Sequence, residues 1–217
     1  MNIPPINLNS SIIDDDKQKT EAFNDYFASQ SNIDDSNKLL PRDDIPPDRR
    51  LSSIVFDAYE VKDILQTLNV NKASGPDAIS GRILKPVADI IAKPLRAFFN
   101  LSLRTKFVPS AWKLANVTPC FKNDDKSILS NYRPISLLSV MSKVFERCVY
   151  KHVFNFIRVL ITEHQSGFMP NDSTRNQLLY ICNVLSKALD KGKDIRFIFF
   201  DISKAFDRLW HKRLLYK

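Results

Sequence analysis

Near its C-terminal end the 217-residue chain carries Ile195-Arg196-Phe197-Ile198-Phe199-Phe200, an almost unbroken apolar run that stops on Asp201. So short a run, rich in aromatic and β-branched residues, reads as a buried strand rather than a helix. The following Ser203-Lys204-Ala205-Phe206-Asp207 opens a helical stretch. A carboxylate at the end of a buried strand stands on rigid support at the mouth of a cleft, a place suited to a metal-binding or catalytic group. It is equally the place for a helix N-cap, so this local pattern leaves both roles open for Asp201.

Helical patterns dominate the rest, so the expected class is α+β, mostly helical with a few strands. Asp57 and Glu60 stand as an N-cap and its partner three residues on, ahead of Val61, Ile64, Leu65 and Leu68 at helical spacing. A second stretch from Ile83 to Leu103 is divided or kinked by Pro86 and Pro94. Leu114 to Phe121 reads as a strand in which Pro119 suits an edge position. Two further helices are expected, Ser139 to about Leu160 and Ser173 to about Leu189, the latter stopped by Gly192. Residues 1–50 read as an acidic lead-in, with one short helix around Ala22-Phe23-Tyr26-Phe27 and a Pro/Asp/Arg cluster from Pro41 to Arg50. Residues 51–217 read as the folded body.

Charge divides along the same line. The net charge is +8, but the first fifty residues hold 6 basic and 10 acidic side chains, leaving the body at +12. Such a body attracts polyanions, with nucleic acid as the default partner and a solvated basic surface as the bland alternative. The 15 Phe residues exclude a disordered tail. Cys120, Cys148 and Cys182 have no zinc-ligand spacing and read as small core residues in a reducing compartment. Met1 to Asp16 lacks a signal-peptide layout, and no apolar run approaches the ~20 residues of a membrane span. An intracellular, soluble protein is expected.

Five strings then occur in order: Asn71-Lys72-Ala73-Ser74-Gly75-Pro76-Asp77, Pro109-Ser110-Ala111-Trp112-Lys113, Asn131-Tyr132-Arg133-Pro134-Ile135-Ser136-Leu137-Leu138, Gln165-Ser166-Gly167-Phe168, and Phe199-Phe200-Asp201-Ile202-Ser203-Lys204-Ala205-Phe206-Asp207. Together they resemble the reverse transcriptases of non-LTR (LINE-type) retrotransposons, from about Val61 to Lys217. Group II intron reverse transcriptases, which share the last string, are the nearest rival.

That resemblance implies a right-hand polymerase fold, here fingers and the start of the palm with its sheet incomplete. It implies template-directed addition of deoxynucleotides to a primer 3′ hydroxyl on an RNA template, by a two-Mg²⁺ mechanism. Asp201 matches the first metal-binding aspartate, with the Ile202 carbonyl as a backbone ligand. Phe206 matches the aromatic under the incoming sugar. Lys122 and Arg133 match the cations that grip the triphosphate. Gln165, Gly167 and Phe168 match the segment lining the template and nucleotide pocket. Residence in the nucleus or cytoplasm is implied by resemblance alone.

The sequence departs from the family at several points. Relatives usually carry Arg where this chain has Met169 and often Gly where it has Asn171, and Pro and Gly are common where it has Ser74 and Ala78. The family's second catalytic motif, an aromatic-x-Asp-Asp, is not among the 217 residues. The expectation is therefore a fragment that does not polymerise by itself. The alternatives are a non-catalytic basic nucleic-acid-binding remnant and a decayed element copy without function.

Overall fold

The computed structural model describes residues 3–8, 11–31, 34, 37–40, 50, 51, 53–202, 205, 206 and 209–216. They fall into two compact units, residues 1–152 with 205–217, and residues 153–204. The class is α+β, with helices predominating over two small antiparallel sheets.

Unit 1 begins with a hairpin of β1 (Ile6–Leu8) and β2 (Ser11–Ile13), followed by α1 (Asp16–Ser31). The helix expected as a short apolar stripe is thus sixteen residues long. Asp15 starts it by accepting from the Gln18 N–H at 2.9 Å. Its Phe23 is buried with Ile6, Leu129 and Tyr132 in a small cluster of their own. The lead-in therefore contributes a face to the fold instead of only preceding it.

The main core lies among three further helices. These are α2 (Ala58–Gln66), α4 (Ala88–Thr105) and α5 (Val140–Ile157), with the single turn α3 (Gly81–Leu84) between the first two. Asp57 caps α2 as expected, accepting from the Glu60 N–H at 2.8 Å. Pro86 separates α3 from α4, whereas Pro94 stays inside α4. Val61, Leu65, Phe99, Val144 and Cys148 meet in the centre, and Phe56, Phe99 and Phe145 pack edge to face with centroids 5.3–6.4 Å apart. The Asn100 amide ties the entering chain to α4 by bonding both the N–H and the C=O of Phe56, each at 2.9 Å. Between α4 and α5 runs the hairpin of β3 (Ala115–Phe121) and β4 (Tyr132–Leu138), in which Pro119 lies opposite Pro134. The unit closes with the short α7 (His211–Tyr216).

Unit 2 takes in the end of α5 and α6 (Thr174–Leu189). The Ser173 hydroxyl caps α6 by accepting from the Asn176 N–H at 3.2 Å, and Gly192 ends it at φ 64°. None of the described residues of unit 2 is buried.

Three expectations need correction. Residues 195–200 form no strand, and their aromatic side chains are exposed, up to 90% for Phe200. A strand is defined by its partner, and both sheets found among the described residues are made of other segments. The Phe197 and Phe199 rings stack 5.9 Å apart instead. Of the helix expected from Ser203, residues 203, 204, 207 and 208 lie outside the described residues, and Ala205 and Phe206 form a turn. Of the three cysteines only Cys148 belongs to the core; Cys120 is half-buried and Cys182 exposed.

Candidate nucleotide and nucleic-acid interface

The two cations expected to grip a triphosphate are brought together by strand register. Cys120 lies opposite Arg133, and the Lys122 N–H donates to the Asn131 carbonyl at 2.9 Å, carrying the ladder one step past β3. Side chains alternate across a strand. Lys122, Asn131 and Arg133 therefore share one face of the hairpin, and both cations are exposed. The opposite face carries Phe121 and Tyr132, whose rings sit 5.5 Å apart, and there Tyr132 meets Phe23 of α1 at 4.9 Å. One face is thus cationic and open, the other aromatic and covered by α1. Alongside the contact with α1, a cleft of about 980 Å³ is lined by Lys19, Phe23, Phe27, Val117, Pro119 and Pro134, among others.

The loop between the two cations is held from below. Asn131 Nδ2 donates to the Asp125 carbonyl at 2.9 Å, and the Tyr132 hydroxyl donates to the Lys126 carbonyl at 2.7 Å. Ser127 is tied to the first hairpin through the Asn7 N–H to its carbonyl at 2.8 Å. Hydrogen bonds from Ser127 to the Asp125 carboxylate, the backbone one first, hold that carboxyl below its ordinary range. Burial raises the Tyr132 phenol, with a smaller push from the Asp125 charge.

A second arrangement secures the far end of β4. The string Asn71 to Asp77 lies against the β4–α5 junction so closely that a Cβ on Gly75 would meet the Ser139 nitrogen, and would stand 2.5 Å from the Leu138 carbonyl carbon. The Ser139 hydroxyl donates to Asp77 Oδ2 at 2.6 Å and accepts from the Met141 N–H at 3.2 Å, capping α5. The other oxygen, Asp77 Oδ1, holds its own turn through the Ile79 N–H at 3.2 Å. This role for Gly75 and Asp77 was not readable in the sequence, because the partner lies 62 residues away.

Equally hidden was the environment of Glu60. As the third residue of α2 it was expected to complete a capping box. Its carboxylate instead turns toward α5, meeting His152 Nε2 at 3.0 Å and Lys151 Nζ at 3.8 Å, with its side chain only 9% exposed. Burial, with Glu60 adding to it, pushes the Cys148 thiol up to about 12.

Gln165, Gly167 and Phe168 lie in unit 2, in the turn before α6. Gln165 Nε2 donates to the Gly167 carbonyl at 2.7 Å, and Phe168, at φ 64°, is 90% exposed. Asp172 closes this turn; hydrogen bonds from the Ser166 hydroxyl and then the Ser173 N–H hold its carboxyl below the ordinary range. Asp201 and Ile202 are exposed in the same unit, while Phe206, also exposed, belongs to unit 1.

Asp201 and the Ile202 carbonyl are hard oxygen donors of the kind Mg²⁺ takes. Among the described residues, however, no group of three or more His, Cys, Asp or Glu side chains could hold a metal ion. The donors present fit one corner of a magnesium site and do not by themselves make a site. Nor is any helix among the described residues long and apolar enough to cross a membrane.

Residues 121–217 match the family model described as reverse transcriptase (RNA-dependent DNA polymerase). Over 93% of its length the chain is 30% identical to the RNA-directed DNA polymerase from mobile element jockey of Drosophila funebris, of which it covers 23%. It is 31% identical, over 77% of its length, to the jockey polymerase of Drosophila melanogaster, and 32% identical, over 73%, to the probable RNA-directed DNA polymerase from transposon BS of the same species, covering 18% of each. The chain thus spans less than a quarter of the length of these relatives.

Proposed function

Because the chain belongs to the reverse transcriptases of non-LTR, LINE-type retrotransposons, we propose that residues 51–217 are the fingers and the start of the palm of an RNA-directed DNA polymerase, with residues 1–50 as its acidic lead-in. The parent reaction adds deoxynucleotides to a DNA primer on an RNA template. Lys122 and Arg133 hold the triphosphate, Phe206 lies under its sugar, and Gln165, Gly167 and Phe168 line the template pocket. In the parent enzyme Asp201 and the Ile202 carbonyl would be among the ligands of Mg²⁺, which when bound would supply Lewis-acid chemistry. The parent protein acts in the nucleus or cytoplasm.

The observation that carries the nucleotide reading is the shared, exposed face of Lys122 and Arg133. A guanidinium fork and an ammonium side by side suit the oxygens of a triphosphate. Titration of the chain with a fluorescent deoxynucleoside triphosphate tests it. The variant Lys122→Ala/Arg133→Ala is expected to bind at least about tenfold more weakly, and equal affinity would remove the assignment.

The 217 residues by themselves are expected not to polymerise, since one aspartate cannot hold two magnesium ions. Primer extension on an RNA template with magnesium and deoxynucleotides should give no incorporation above that of Asp201→Ala. A second reading, a nucleic-acid-binding remnant without catalysis, is favoured by the net charge of +12 over residues 51–217. Salt-dependent RNA binding combined with no triphosphate binding would select it.

A further inference from the structure

Helix α5 breaks two rules of helix electrostatics on one face. Cations are unfavourable near a helix N-terminus, where the macrodipole is positive, yet its first turn carries Lys143 and no acid. Like charges four residues apart repel, yet Lys143, Arg147 and Lys151 follow one another at that spacing. An α-helix turns by about 100° per residue, so these three and Tyr150 fall within an arc of about 100° and a length of about 12 Å. The core residues Cys148 and Phe145 lie off this arc, and buried Val144 borders it beside Lys151.

Little on the protein relieves this repulsion. Two lysines outside α5 do find close acidic partners, Lys62 with Asp89 at 2.5 Å and Lys19 with Asp14 at 3.2 Å. Lys143 and Arg147 make no ion pair among the described residues, and Lys151 reaches Glu60 only at 3.8 Å. The single acid of α5, Glu146, takes a hydrogen bond from Ser142 at 3.1 Å. Tyr150, 55% exposed, presents an aromatic ring within the same arc.

We propose that this face of α5 is a docking surface for the backbone of a single-stranded nucleic acid, with Lys143, Arg147 and Lys151 on successive phosphates beside the exposed Tyr150 ring. The choice of nucleic acid rests on the reading above. The surface itself rests on charge placement that a polyanion turns from repulsion into binding. It is separate from the Lys122/Arg133 face and needs no metal. An acidic membrane is the less apt partner, because the arc exposes an aromatic ring and no aliphatic side chain.

The test is fluorescence anisotropy of a short labelled oligouridylate with the full 217-residue chain across a salt series. Replacing Lys143 and Arg147 by Gln, while leaving Lys151 on Glu60, should lower the slope of log affinity against log salt by about 1.4 and weaken binding on the order of 20-fold at about 0.1 M salt. Glu146→Gln should strengthen binding. Lys93→Gln/Arg96→Gln, two exposed cations of α4, should leave the slope unchanged. Thermal melts confirm that each variant folds.

An unchanged slope in the α5 variant, equal losses in the α4 control, absence of RNA binding by the parent chain, or tighter binding to phosphatidylserine vesicles than to RNA would each overturn the proposal. The triphosphate titration reads the Lys122/Arg133 assignment independently, so the two can fail separately.

Discussion

Replacing Gly75 by Ala should damage this fold far more than one methyl group suggests. The added Cβ would meet the Ser139 nitrogen and stand 2.5 Å and 2.7 Å from the carbonyl carbon and oxygen of Leu138. All three are backbone atoms, so no rotamer change can make room. Overpacking of this kind costs about 1–3 kcal/mol. Moving the string away from the junction also strains the 2.6 Å bond between Ser139 and the Asp77 carboxylate, a charged hydrogen bond worth about 1.5–3 kcal/mol. Against this, Ala restricts the unfolded chain and returns about 0.4–1 kcal/mol. The net loss is about 2–4 kcal/mol. At about 2–4 °C per kcal/mol for domains of 150–250 residues, Tm should fall by about 4–16 °C. Differential scanning fluorimetry of the full chain measures it, with Gly167→Ala as control, since a Cβ there would meet only Gln165 Nε2 at 3.7 Å. A Gly75→Ala protein melting within about 2 °C of the parent would refute the close approach, because no value in that ledger is so small.

Further outcomes follow from other residues. Ala78 has φ 56°, a conformation that costs a non-glycine residue about 1–2 kcal/mol, so Ala78→Gly should stabilise by about 0.5–1 kcal/mol after the entropy of glycine is counted, read as a higher urea midpoint. Thiol labelling at pH 8 should modify Cys182 rapidly and leave Cys148 untouched in the folded protein, since that thiol lies near 12 and is buried. Because Cys148 ionises later in the folded chain than in the unfolded one, its contribution is intact below about pH 8.5 and is lost as pH rises toward 12; Cys148→Ala should flatten the decline in stability over that window. Phe199→Ser/Phe200→Ser should raise the monomeric fraction in size-exclusion chromatography, because both rings are about nine-tenths exposed and an apolar extended segment recruits other chains.

What could be read from the sequence was what local chemistry decides. The Asp57 cap, the apolar spacing of α2, Pro86 between helices, the start of α6 at Ser173 and the Gly192 stop all act within a few residues, and all stand as expected. Residues 195–200 show the limit: their composition states a preference for burial, while a strand needs a partner that composition does not name. The hairpin β1–β2 was missed because three-residue strands carry almost no period. Lys122 and Arg133 were named through family resemblance, but their shared face depends on a register set by the loop of residues 123–131. Glu60, Asp77 and Ser139 were invisible as a set, since each answers to a partner on a distant segment.

The departures at Asn171 and Ala78 gain a physical sense here. Both residues have positive φ, 63° and 56°, where glycine is most at ease and asparagine is the better-tolerated substitute. Where the family resemblance leads one to expect glycine, the chain holds a glycine-like backbone with a side chain attached.

The facing prolines of the second hairpin also govern what this sheet refuses. Lys122 and Asn131 form a hydrogen-bonded pair, so in an alternating ladder Pro119 and Pro134, three steps along, occupy a pair whose amide positions point outward. An ordinary residue at either place would offer an N–H to any passing extended chain. Here each flank presents a ring and no donor. A nascent or neighbouring polypeptide therefore finds no continuous row of donors along either side, and the hairpin stays two strands wide while its cationic face remains open to ligand.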